Sequence, residues 1–267
     1  MVFVEGISYV SIIRGLRLSR SMGQTFLVNE AIARQEASLA AGMRAIELGA
    51  GLGILTKELC AVAKSVIAVE LDSTLFEHLK ELHFDNLRLV HKDFFAMDDS
   101  EISGIDILVS NTPYSLSSKT VTWACEHGMQ AVLCLQREFV EHMLAKPDTH
   151  NYSKLSVLTA LQMDVKRIRN ISAGNFYPRP NVNSCIIRLT PTKPLRGGIA
   201  GIIGILMSHK KRTLKNALLS SARQLRVSKV QARALSETMA QKNERVFKLE
   251  PSALLSIAER LKKDIPT

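Results

Sequence analysis

Between residues 43 and 190 the chain alternates short apolar runs with longer amphipathic stretches. The first five runs are Arg44–Leu48, Ser65–Glu70, Leu87–His91, Ile105–Ser110 and Gln130–Leu135. Each has the length of a buried strand. The stretches between them, such as Ile54–Ala63 and Ser73–Leu82, carry apolar residues at helical spacing. Parallel neighbours require a crossover, and crossover helices cover the faces of the sheet. The pattern therefore predicts an α/β fold: a mainly parallel sheet with helices on both faces. Two later runs, Val165–Ile171 and Ser184–Leu189, have no clear helix between them. They are expected as an antiparallel hairpin at one edge, joined through a loop at Gly174–Pro180.

Pro191, Pro194 and the Gly197-Gly198 pair end this alternation and mark a domain boundary near residue 192. Beyond it the spacing predicts helices over Gly201–Leu219, Lys229–Met239 and Pro251–Leu261, with Ser228 and Ser252 as capping residues. The expected organisation is a sheet domain over 1–192 and a small all-helical domain over 193–267. Charge divides the same way. Up to residue 190 there are 19 Lys and Arg against 20 Asp and Glu, a balance of −1. From 191 onward there are 16 against 5, a balance of +11. Such asymmetry points to a polyanionic partner, nucleic acid or an anionic membrane face.

The remaining composition narrows the classes. Cys60, Cys125, Cys134 and Cys185 form no CxxC pair, so buried free thiols are expected rather than a zinc site. No apolar stretch approaches the length of a membrane span. Arg14, Arg17 and Arg20 are not followed by a signal-peptide core, and the expected location is cytoplasmic.

Two segments carry chemistry. Glu47-Leu48-Gly49-Ala50-Gly51-Leu52-Gly53 joins the first expected strand to a helix. Its glycines let the backbone turn tightly and approach a ligand closely. The spacing fits G-x-G-x-G better than the dinucleotide pattern G-x-G-x-x-G, because position 54 is Ile. Glu70 ends the next strand, where a carboxylate can accept from both hydroxyls of a ribose. Asp93 follows the third, placed to accept from an adenine amine while a neighbouring Phe packs on the ring. Asn111-Thr112-Pro113-Tyr114 follows the fourth. A planar amide, a rigid proline and an aromatic ring at a strand's C-terminal end suit one task, holding a flat base by its exocyclic amine. The N6 lone pair of adenine is delocalised into its ring. Two acceptors, the Asn111 side-chain oxygen and the Thr112 carbonyl, would help that nitrogen pyramidalise. Tyr114 offers a stacking face worth ~1–3 kcal/mol. Together the segments point to methyl transfer onto an adenine nitrogen.

In this order the motifs resemble those of the ribosomal RNA small-subunit adenine N6,N6-dimethyltransferase family (KsgA type). The resemblance runs from about Met22 to Leu261. It includes Gly23-Gln24-Thr25-Phe26-Leu27, Phe176-Tyr177-Pro178-Arg179-Pro180-Asn181-Val182-Asn183-Ser184 and Lys210-Lys211-Arg212-Thr213-Leu214-Lys215. It implies a Rossmann-like class I methyltransferase sheet and S-adenosyl-L-methionine as methyl donor. It also implies two adjacent adenines near the 3′ end of small-subunit rRNA as targets, met by a monomer in a pre-ribosomal particle. By position it implies that Gln24, Thr25, Leu27, Gly49, Gly51, Glu70, Leu71, Asp93, Phe94 and Asn111 line the cofactor pocket. Tyr114 and Phe176 would sandwich the base, making Asn111, Tyr114 and Phe176 the catalytic set. Lys210, Lys211, Arg212 and Lys215, expected on one helix, would contact phosphates, with Arg14, Arg17 and Arg20 as a second stripe. Thr25 and Thr112 depart from the family's usual Asn and Leu. Two other readings stand beside this one: methylation of large-subunit rRNA, and a non-catalytic ribosome-assembly or transcription factor on the same fold.

Overall fold

The computed structural model describes residues 25–195 and 197–264. Arg14, Arg17, Arg20 and Gln24 lie outside the described residues. The chain forms two compact units. The first comprises the described residues up to Thr120, with Met129–Arg137 and Val165–Thr190. The second comprises Val121–Gly128, Glu138–Asp164 and the chain from Pro191 onward.

The first unit opens with β1 (Phe26–Leu27) and α1 (Glu30–Ser38). The expected alternation follows as β2 (Arg44–Leu48), α2 (Ile54–Val62), β3 (Ser65–Glu70), α3 (Ser73–Leu79), β4 (Leu87–His91), β5 (Ile107–Ser110), α4 (Ser117–His127) and β6 (Gln130–Gln136). β2 to β6 pair in parallel. β7 (Met163–Ile171), β8 (Phe176–Tyr177) and β9 (Ser184–Pro191) complete the strands. The seven-stranded order is β4-β3-β2-β5-β6-β9-β7, with β9 antiparallel to β6. β7 and β9 are neighbours at one edge, as the missing crossover helix implied.

The central strands read as near-continuous apolar runs because both sheet faces are covered. Ala45, Ile46, Ile107, Leu108, Val109, Val132 and Leu133 are all fully buried. β5 starts two residues later than expected. Asp106 is instead tied to β2, its carboxylate accepting from the Arg44 backbone N–H (2.8 Å) and guanidinium (2.8 and 3.1 Å). One element was not legible from periodicity: β1 pairs antiparallel with β8, Phe26 opposite Tyr177, across some 150 residues of chain.

The second unit holds α4 from Val121 onward, α5 (Arg137–Met143), α6 (Lys154–Gln162), α7 (Ile199–Ser208), α8 (Leu214–Ser221), α9 (Lys229–Glu237) and α10 (Pro251–Asp264). Its core joins Tyr152 and Val157 to Ile203, Leu206, Leu218, Leu254 and Leu261. The expected helix over Gly201–Leu219 is in fact α7 and α8. His209 closes α7, and the Thr213 side chain caps α8 by accepting from the Asn216 N–H. Lys210, Lys211 and Arg212 therefore lie in the intervening turn, not on one helix with Lys215. The turn is held open because the Lys210 and Arg212 carbonyls accept from the Phe247 and Val246 N–H groups. Ser228 caps α9 in a reciprocal capping box with Gln231.

Candidate active site

All five parallel strands deliver their C-terminal ends to one edge of the sheet. The chain runs outward from β2 through β3 to β4, then returns to the other side of β2 as β5. Open α/β sheets bind ligands in the crevice made by such a reversal. A cavity of about 520 Å³ opens there. Gly49, Glu70, Asp93 and Asn111, each following or ending a different strand, all line it.

The turn after β2 follows directly from its glycines. Gly49, Gly51 and Gly53 have φ of +72°, +58° and +77°. A Cβ on Gly53 would lie 2.8 Å from a Leu82 methyl, and one on Gly51 would press to 3.3 Å against the Phe26 ring. The backbone can follow this path only without side chains. Glu70 fastens the turn from β3. Its Oε2 accepts from the Gly51 N–H at 2.8 Å, and its Oε1 accepts from the Leu71 and Asp72 N–H groups at 2.8 and 2.9 Å. A carboxylate offers about four lone-pair sites, so one acceptor position beyond these three bonds can still serve a ligand hydroxyl. Asp93 Oδ1 accepts from the Phe95 N–H at 2.9 Å and orders the single 3₁₀ turn that carries Phe94 and Phe95.

On the β5 side, Ser110 is buried and donates to the Leu48 carbonyl at 2.8 Å. That bond ties the end of β5 to the end of β2, and with it Asn111 to the glycine turn. Asn111 Oδ1 is buried and has no hydrogen-bond partner among the described residues. An acceptor left this way costs about 1–3 kcal/mol, which a bound N–H group would recover. Pro113 starts the next turn, its carbonyl accepting from the Leu116 N–H (2.8 Å). The Tyr114 hydroxyl shares a 2.9 Å hydrogen bond with the Ser184 hydroxyl on β9, which orients the ring at the cavity wall. Burial pushes the Tyr114 phenol above its ordinary pKa, so the hydroxyl stays protonated.

A second cavity of about 40 Å³ lies behind the glycine turn. Leu27, Glu47 and Ala50 line it, while Thr25, Phe26, Gly51 and Asn111 border both cavities. It exceeds the ~10–15 Å³ needed for one water. Glu47 is 1% exposed and accepts from the Thr56 hydroxyl at 2.6 Å. Burial, reinforced by Glu70, pushes its carboxyl up to about 8 against the Thr56 bond. Glu36 on α1 is fully buried, and neither oxygen has a partner among the described residues. Its carboxyl is likewise pushed up to about 8, by burial first and by Glu47 second.

The structure thus gathers Thr25, Gly49, Gly51, Glu70, Leu71, Asp93, Phe94, Asn111 and Tyr114 around one cavity, with Leu27 beside the smaller one. Gln24 lies outside the described residues. Phe176 is placed elsewhere: it is 5% exposed, paired with Leu27 across the β1–β8 ladder, and packed in the core of the first unit. Sequence reasoning missed Ser110, whose role depends on a partner 62 residues away. It also missed Phe26, Lys92 and Leu116 as lining residues. Lys92 is engaged by Glu101 at 2.6 Å, so the carboxylates of the wall are not opposed by an unpaired lining cation.

In the second unit the four expected RNA contacts are unequal. The Lys210 ammonium donates to the Tyr152 and His150 carbonyls at 2.6 and 3.2 Å. The Arg212 guanidinium donates to the Ser220 hydroxyl, and Lys215 pairs with Glu237 at 2.5 Å. Lys211 is exposed. Among the described residues no cluster of three or more metal-ligating side chains comes together, and no helix is long and apolar enough to cross a membrane. All four cysteines are buried thiols outside any disulfide.

Residues 15–263 match the family model of the ribosomal RNA adenine dimethylases. A probable ribosomal RNA small subunit methyltransferase A from Thermococcus gammatolerans is 34% identical over 250 residues, 91% of this chain and 88% of that protein. Its counterpart from Methanopyrus kandleri is 34% identical over 269 residues, 96% of each chain. Among solved structures, a dimethyladenosine transferase from Plasmodium falciparum shares the fold, with a TM-score of 0.72, 23% identity and 88% of this chain covered (97% of that one). The 23S rRNA methyltransferase ErmE shares it at a TM-score of 0.58 and 22% identity, covering 89% of this chain and 99% of its own. With its family model spanning nearly the whole chain, this protein belongs to the ribosomal RNA adenine dimethylase family.

Proposed function

We propose that this enzyme transfers methyl groups from S-adenosyl-L-methionine to the N6 atoms of two adjacent adenines near the 3′ end of small-subunit rRNA, in a pre-ribosomal particle. The cavity at the strand reversal suits that cofactor. Glu70 stands at the end of β3, where a ribose would lie, and Asp93 stands beside Phe94 and Phe95, where an adenine ring would lie. An acidic wall whose only lining lysine among the described residues is already paired favours a cationic ligand. When bound, S-adenosylmethionine supplies an electrophilic methyl group.

The observation that carries the reading is Asn111, which lines both cavities and whose side-chain oxygen has no hydrogen-bond partner among the described residues. Within this reading, Asn111 Oδ1 and the Thr112 carbonyl accept the two N6 hydrogens of the target adenine. Its nitrogen then becomes more pyramidal and more nucleophilic. These acceptors matter most as charge develops on nitrogen, so their contribution falls in the transition state. Tyr114, held by Ser184, forms one wall for the base. Phe176 would form the other only by leaving the core that now buries it. Of the four cations expected to meet phosphates, exposed Lys211 is displayed for that contact and helps fix the particle's orientation, whereas Lys210, Arg212 and Lys215 are engaged within the unit.

The test is primer extension across the 3′ hairpin of small-subunit rRNA, on particles treated with the protein and S-adenosylmethionine. Stops at two adjacent adenines that require both are expected. Modification of large-subunit rRNA alone would replace this reading with the other enzyme reading. No cofactor binding by calorimetry would favour a non-catalytic assembly factor.

A further inference from the structure

The second unit carries a groove that none of the residues assigned above line. α10 buries Leu254, Ile257, Ala258 and Leu261 in the helical core. The adjoining stripe, Leu255, Glu259, Lys262 and Lys263, recurs at helical spacing and lines a groove of about 640 Å³. The opposite wall is the linker Lys193–Leu195, and Leu161 and Ile199 add to an apolar floor. The rim bears three lysines and one carboxylate.

Those lysines differ from four others on this unit. Lys215 and Lys242 both pair with Glu237, Lys248 with Asp148, and Lys210 is spent on carbonyls. Lys193, Lys262 and Lys263 are exposed, and none has an ion pair among the described residues. Lys262 lies directly over the linker: a Cβ on Gly197, at φ +63°, would overlap its ammonium group. The glycine is therefore what lets Lys262 lie across the linker at the groove.

A groove with an aliphatic floor and a cationic rim has the chemistry of an unstacked nucleotide, whose base is flat and apolar-faced and whose phosphates are anionic. The walls are helices and a proline-bearing linker with no open strand edge, so an extended peptide would find no ladder to join. Resting on the reading that the substrate is rRNA, we propose that this groove is a second RNA subsite that takes one splayed nucleotide on Leu195 and Leu255 and its flanking phosphates on Lys193, Lys262 and Lys263.

The test compares the full chain with Lys193→Ala/Lys262→Ala/Lys263→Ala and with Leu255→Ser, using a fluorescent single-stranded RNA decamer across a range of salt. The triple variant should bind roughly tenfold more weakly at low salt, with a log–log salt slope reduced by about 2, because each single-strand phosphate contact contributes about 0.7. Leu255→Ser should weaken binding without changing the slope. Thermal unfolding followed by circular dichroism should be unchanged in both, confirming intact folding of the second unit. Unchanged affinity and slope in the triple variant would overturn the subsite. So would tighter binding, through the same lysines, of a decapeptide of alternating Glu and Leu. If the unaltered protein fails to modify rRNA while the triple variant still loses the decamer, the functional reading falls and the groove stands.

Discussion

The two units handle charge in opposite ways. The first draws carboxylates inward: Glu36, Glu47 and Glu70 are all at most 5% exposed, arranged from α1 through β2 to β3 behind the glycine turn. The second displays cations outward over a core of Leu, Ile and Met. A buried polar group is expensive unless satisfied, so the first unit must place individual atoms closely. A solvated cation is cheap and nearly interchangeable with its neighbours, so the second unit works by number. Losing one atom from the first should therefore remove function or stability outright. Losing one charge from the second should only grade affinity.

The largest expected effect tests the first half of that contrast. Phe176→Ala truncates a buried ring in the core of the first unit. It should lose about 3–5 kcal/mol in urea unfolding. A loss well under 1 kcal/mol, with methylation lowered, would mean that the ring spends its time out at the base and not in the core.

Asn111→Ala should come next. The expected fall in single-turnover methyl transfer is on the order of 10²–10³-fold, with the cofactor dissociation constant little changed. Normal turnover would show that the unpartnered oxygen is only a structural defect.

Glu36 permits a test with a sign. Its folded carboxyl is raised to about 8, so folding takes up a proton between the ordinary carboxylate range and that value. The unfolded state binds fewer protons there, and stability falls as pH rises from about 5 to 8. Glu36→Leu should flatten this fall, gaining roughly 3 kcal/mol at pH 8 and little at pH 5. Parallel stability curves for the two proteins across that range would place the ionisation elsewhere.

The smallest effects belong to the second unit. Lys211→Ala should weaken particle binding by less than about 1 kcal/mol and lower the salt slope by about one phosphate contact. Lys210→Ala should cost stability instead, because its ammonium holds the Tyr152 carbonyl. If Lys210 shifts the slope as much as Lys211 does, the distinction between engaged and displayed cations is wrong.

Much of this contrast was readable without coordinates. Alternating apolar runs located β2 to β6 to within two residues, because strands buried on both faces leave few polar positions. Gly49 and Gly51 announced a tight turn, which the structure builds with positive φ, and Ser228 announced a helix cap. β1 and β8 were not readable: two-residue strands have no period, and their partners are remote in sequence. Nor was the break between α7 and α8. The Lys210–Arg212 stretch carries no Gly or Pro, and the carbonyls that hold it open serve Val246 and Phe247. Phe176 shows the reverse limit, since an aromatic beside a loop reads equally as a ligand platform or as core.

What local sequence determined here was conformational: the period of the strands, the glycine turn, and the carboxylates and amide that follow strand ends. What the tertiary structure alone decided was adjacency. It set Ser110 on Leu48, Tyr114 on Ser184, Glu36 near Glu47, and Lys262 across Gly197. Backbone propensity acts over a few residues and is written into the chain, whereas burial and hydrogen-bond partnership depend on which distant segments the packed fold brings together.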